Sequence, residues 1–139
     1  MKIYGIGTDI VSIIRIKKLI TKKIFLKRLF GKEEVVRCSK LTNPHNCFAK
    51  RFAAKEAFSK ALGTGISSGI NFNEIIVQNE KNGKPFIRLK GETKKKIDKK
   101  LKKKAKSFLS LSDEQKYAVA FVTIFVWKKN YRLWYMIIS

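Results

Sequence analysis

Acidic residues are scarce in this chain of 139: ten Asp and Glu stand against 32 Lys and Arg, a formal net charge of +22. Proline occurs twice, cysteine twice and histidine once. With His45 alone, imidazole-based triads and histidine metal clusters are excluded. Cys38 and Cys47 are nine residues apart and make no C-x-x-C pair, so neither a zinc site nor a redox motif is indicated, and two free thiols in a reducing compartment are expected. No run of about 18 apolar residues exists, which excludes a membrane-spanning helix. The N-terminus reaches glycine and Asp9 too early for a signal peptide, so a cytoplasmic chain is expected.

What is present is enough for a folded domain. The hydrophobic fraction is 45% and the aromatic fraction 12%, which excludes a disordered basic tail. The length fits one domain, leaves much of its surface exposed, and makes oligomerisation favourable. Positive charge comes from 26 lysines and six arginines. Such an excess is compositional or points to an acidic partner: nucleic acid, an anionic membrane or an acidic protein. The lysine-rich stretch 94–106 motivates a nucleic-acid-binding module, but no helix-turn-helix, zinc-finger or RNP signature accompanies it.

The pattern predicts a strand over 2–11, with Gly5, Gly7 and Asp9 on one face by twofold alternation. Ser12 is a predicted N-cap for a helix to about Ile20. Further helical pieces are expected at 21–30 and 33–39, followed by a loop at Asn43–Asn46. Residues 47–62 contain no Gly or Pro and predict a helix ending at Gly63-Thr64-Gly65. Residues 74–78 and 86–89 read as a hairpin around Asn82-Gly83. A basic helix is expected over 92–107, with Ile97, Leu101 and Ala105 as its buried stripe, and then a hairpin of 108–111 with 117–125. The architecture predicted is a single α+β domain with a mainly antiparallel sheet, spanning 1–125, with 126–139 as an extension of unassigned role.

Two carboxylates stand among cations. On the predicted 47–62 helix, Phe52, Glu56 and Lys60 recur at four-residue spacing on one face, with Arg51 and Lys55 on an adjoining stripe. Carboxylates that hold a hard cation, beside Lys and Arg that neutralise phosphate, suit a magnesium-bound polyphosphate. The alternative is an ordinary Glu56–Lys60 surface pair, with Asp9 as a helix cap.

The segment Gly5-Ile6-Gly7-Thr8-Asp9-Ile10-Val11-Ser12 resembles the opening signature of the holo-[acyl-carrier-protein] synthase family of 4′-phosphopantetheinyl transferases. The stretch 48–66, with Phe-Ala-Ala-Lys-Glu-Ala-Phe-Ser-Lys-Ala-Leu-Gly-Thr-Gly-Ile, is similar to its second signature. Asn82-Gly83-Lys84-Pro85, Leu109–Asp113 and Tyr117–Ala120 are similar to later blocks. The resemblance implies transfer of the 4′-phosphopantetheine arm of coenzyme A to a serine of apo acyl carrier protein, for fatty acid synthesis. It implies Mg²⁺ on Asp9 and Glu56, catalytic roles for Asp9, Glu56 and Lys60, and coenzyme A contacts from Arg51, Lys60, Gly63, Thr64, Gly65 and Pro85. Docking of the acidic carrier protein would fall to Arg15, Lys18, Lys22 and Lys23. A homotrimer with active sites at subunit interfaces is implied too, and no specific nucleic acid is expected as a partner. Phe108 stands where many members of the family carry histidine, which leaves an inactive, scaffolding member as an alternative.

Overall fold

Helix α4 (Pro44–Leu62) is the spine of the molecule, with thirteen of its nineteen residues buried. Its alanines, Ala49, Ala53, Ala54, Ala57 and Ala61, let other elements approach its backbone, and they carry no side-chain entropy cost into the core. The computed structural model describes residues 1–63, 69–102 and 104–127. The chain order is β1 (Lys2–Ser12), α1 (Ile13–Ile20), α2 (Lys23–Leu29), α3 (Lys32–Ser39), α4, a 3₁₀ turn at Phe72–Glu74, β2 (Ile75–Asn79), β3 (Pro85–Leu89), α5 (Gly91–Lys100), β4 (Ala105–Asp113) and β5 (Tyr117–Val126).

Strands β1, β5 and β4 form an antiparallel sheet in that order, and β2 and β3 form a separate antiparallel hairpin. The α+β class expected from sequence is therefore observed. One face of the three-stranded sheet packs on α4 through Val11, Leu109, Ala118, Ala120, Val122 and Ile124. Its opposite face is apolar and, among the described residues, uncovered: Ile6, Ile10, Phe108, Tyr117 and Phe121 are each more than 40% exposed.

Two glycines set how closely β1 lies on α4. A Cβ on Gly5 would overlap the carbonyl oxygen of Ala61, and one on Gly7 the carbonyl oxygen of Ala57. Two residues of strand advance about 6.6 Å and four residues of helix about 6 Å. The next residue of that strand face, Asp9, is thereby delivered about one helical turn further toward the N-terminus of α4, to the level of Ala53, the direction in which the side chains of Glu56 and Lys60 lean.

Four expectations need correction. Asn43–Asn46 is not a free loop, because α4 begins at Pro44, where proline at the first helical position loses no hydrogen bond. The basic helix is shorter than its stripe suggested: Lys102 takes φ +54, and Ala105 opens β4 opposite Val126. Cys38 and Cys47 are not free thiols; they form a disulfide between α3 and α4. Finally, Lys55 does not join a phosphate-facing stripe. It is fully buried, donating to Glu34 Oε1 at 2.5 Å, Leu29 O at 2.7 Å and Phe72 O at 2.8 Å. Burial pushes its ammonium down to about 8, even against the opposing effect of Glu34. Strand β5 continues through Val126; residues 128–139 lie outside the described residues.

Candidate active site

Asp9 sits near the end of β1 and Glu56 in the middle of α4, both partly exposed. Lys60, one turn beyond Glu56, donates to Asp9 Oδ1 at 2.9 Å and to Thr8 O at 2.9 Å. This contact joins the two sequence motifs directly. Asp9 is not a helix cap; that task belongs to Ser12, whose hydroxyl accepts from Arg15 N at 3.4 Å. Burial, and next the charge of Asp9, push the Glu56 carboxyl above its usual range, while Lys60 and Arg15 pull the other way. A carboxyl raised by burial and by the neighbouring charge of Asp9, flanked by cations, is one that a hard divalent ion would relieve.

Arg15 thus faces Glu56 electrostatically from α1. Lys18, Lys22 and Lys23 are exposed along α1, the connection and α2, around the uncovered side chains of Ile14 and Ile24.

Arg51 and Pro85 come together elsewhere. They line a pocket of about 520 Å³ with Arg37, Lys50, Asn46, Asn79 and Asp113, and Asp9, Glu56 and Lys60 are not in its lining. Arg51 is buried, donates through Nη2 to Asn79 Oδ1 at 2.9 Å, and keeps a buried Nε with no partner among the described residues. Lys50 pairs with Asp113 at 3.0 Å, and Asn46 donates to the same carboxylate at 2.8 Å. Burial works to raise the Asp113 carboxyl, but those two hydrogen bonds outweigh it and hold it below the usual range. Gly63 caps α4 at φ +76, the conformation glycine adopts without strain. Thr64 and Gly65 lie outside the described residues.

Residues 5–122 match the model of the 4′-phosphopantetheinyl transferase superfamily. The chain belongs to that superfamily. A holo-[acyl-carrier-protein] synthase of Pelagibacter ubique is 48% identical over 125 residues, covering 89% of this chain and 98% of the relative. The crystal structure of the Neisseria meningitidis synthase superposes with a TM-score of 0.79 at 40% identity, over 89% of this chain and 99% of the other. The Helicobacter pylori synthase in complex with coenzyme A gives 0.73 at 33%, over 86% and 99%.

Two features escaped sequence reasoning. Asn79 and Asp113 reach the Arg51 pocket only through the tertiary packing of β2 and β4, which no spacing along α4 encodes. Lys55 and Glu34 share no helical register, so their pairing carries no local signal.

Proposed function

We propose that this transferase moves the 4′-phosphopantetheine group of coenzyme A to a serine of apo acyl carrier protein, releasing adenosine 3′,5′-bisphosphate. The observation that carries the reading is the Lys60–Asp9 contact at 2.9 Å beside a Glu56 carboxyl under the influence of Asp9. It brings a carboxylate pair and a cation to one point between the two family signatures.

Asp9 and Glu56 are the residues that would hold Mg²⁺. Bound there against the coenzyme A pyrophosphate, the ion would supply Lewis-acid polarisation of the attacked phosphorus. Glu56 is the candidate acceptor of the serine proton, a carboxylate one turn from Lys60 on the same helix face. Lys60 lies close enough to neutralise the departing bisphosphate. Arg51, with its unpartnered Nε, and Pro85 are assigned to coenzyme A, and Gly63-Thr64-Gly65 to the same ligand by family resemblance. Phe108 supplies no acid–base group; Lys84 and Lys106 lie 6.0 and 5.0 Å from its ring centroid.

The separation of the Asp9–Glu56–Lys60 group from the Arg51–Pro85 pocket supports completion of each site by a neighbouring copy. The uncovered apolar face of the β1-β5-β4 sheet is the surface we assign to that assembly, read as a homotrimer. Arg15, Lys18, Lys22 and Lys23 are assigned to the acidic carrier protein, in the cytoplasm. The test incubates the protein with apo acyl carrier protein, coenzyme A and Mg²⁺ and follows the mass of the carrier. Gain of one phosphopantetheine by wild type, and its loss with Asp9→Ala or Glu56→Ala, is expected; no transfer by wild type overturns the reading.

A further inference from the structure

Cys38 lies at the end of α3 and Cys47 in the first turn of α4, their Cα atoms 5.4 Å apart, and their disulfide closes the segment 38–47. Leu41, Thr42, Asn43 and Asn46 of that segment form one wall of the Arg51–Pro85 pocket, and Cys47 reaches the lining. Cys38 is wholly buried and Cys47 is 4% exposed, so the pocket is the route to the sulfur pair. Arg51, one turn beyond Cys47, donates through Nη1 to its Sγ at 3.1 Å. Lys50, another cation of the lining, is already engaged by Asp113.

We propose that Cys38–Cys47 is a thiol–disulfide exchange site, served by a dithiol reductant, that sets how strongly Arg51 holds a phosphate-bearing ligand. The proposal rests on the reading of this pocket as part of the coenzyme A site. A disulfide sulfur is neutral and a weak acceptor, so the oxidised pair leaves the guanidinium charge to the ligand. A Cys47 thiolate, by contrast, is stabilised by the adjacent guanidinium and takes its charge-assisted hydrogen bond. Ligand phosphate and thiolate then compete for one cation.

The exchange balances. A reductant thiolate enters through the pocket and bonds to Cys47 Sγ; the S–S bond breaks, and Cys38 leaves as a thiolate that takes up a proton. The reductant's second thiolate attacks its own sulfur in the mixed disulfide, and Cys47 departs as a thiolate beside Arg51. Two electrons have passed to the cysteine pair, and the reductant leaves as a disulfide. Linkage makes the effect reciprocal: a bound nucleotide protects the disulfide from reduction.

The test uses the full chain purified without reductant. Its thiols are counted by alkylation and mass spectrometry before and after dithiothreitol, and adenosine 3′,5′-bisphosphate, which has no thiol, is titrated calorimetrically into both forms. One disulfide is expected at the start, and affinity about tenfold weaker after reduction. Cys47→Ser, which has no thiolate to compete, shows one affinity that dithiothreitol does not change. Two free thiols at the start, equal tight binding in both forms, or a Cys47→Ser variant that weakens with dithiothreitol like wild type overturns the proposal alone. Absence of nucleotide binding in both forms overturns the reading of the pocket and the proposal together.

Discussion

The ammonium of Lys55 lies 2.5 Å from a carboxylate oxygen of Glu34, and both side chains are wholly out of solvent. Glu34 also accepts from Gly31 N at 3.0 Å and Val77 N at 3.1 Å, so four elements converge on this pair: α2, through Leu29 O, and α3, α4 and β2. A buried pair of this kind adds little net stability over an apolar replacement, yet removing one partner strands the other charge. Lys55→Met is expected to cost roughly 3–5 kcal/mol. The Lys55→Met/Glu34→Leu double variant should recover part of that loss in urea denaturation. Equal losses for the single and double variants would show that the pair is not the source.

Glu56→Gln should separate stability from activity. A carboxyl whose folded pKa is raised above its unfolded value binds more protons in the folded state, so its contribution to stability falls as pH rises from the unfolded pKa through the folded one. At neutral pH the charged Glu56 is therefore a cost, and the neutral amide is expected to raise Tm there and to have little effect well below pH 4. Transfer by the same variant should drop by roughly 10²-fold or more. An unchanged Tm at pH 7 would contradict the origin of the shift.

Gly7→Ala places a methyl against the Ala57 carbonyl oxygen, where backbone rather than a flexible side chain must yield. Overpacking of this kind costs about 1–3 kcal/mol. The displacement of β1 also pulls Asp9 from Lys60, so transfer should fall further than the loss of folded protein explains. Folded fraction by circular dichroism, set against transfer rate, checks this.

The uncovered sheet face gives an assembly prediction. Phe121 and Ile10 are 46% and 63% exposed on neighbouring strands. Phe121→Asp is expected to yield monomers in sedimentation velocity, with transfer lost although the Asp9–Glu56–Lys60 group is intact. A monomeric wild type, or an active monomeric variant, would remove the intersubunit reading.

Much of this was legible in the chain. Ser12 caps α1 as its hydroxyl predicts, and α4 ends at Gly63 because no other residue enters φ +76 so readily. Asp9 and Glu56 stood out because an acidic side chain among lysines is locally anomalous. Lys55 reads as exposed in a lysine-rich chain until its partner is known, and Glu34 lies 21 residues away. The end of α5 was overrun because Ile97, Leu101 and Ala105 keep helical spacing, while the pairing of Ala105 with Val126 is a long-range fact.

The contact of β1 with α4 works as a vernier. Strand and helix carry graduations of about 6.6 and 6 Å, which agree at Gly5 and Gly7 and slip by about 0.6 Å at each further mark. Over three marks the slip stays under the width of an atom; over six it would exceed half a graduation. A motif built on this coincidence is bound to be short, and a one-residue insertion in β1 would turn Asp9 to the opposite face of the sheet. Length variation in this family is therefore expected in the segments between its signatures and not inside them.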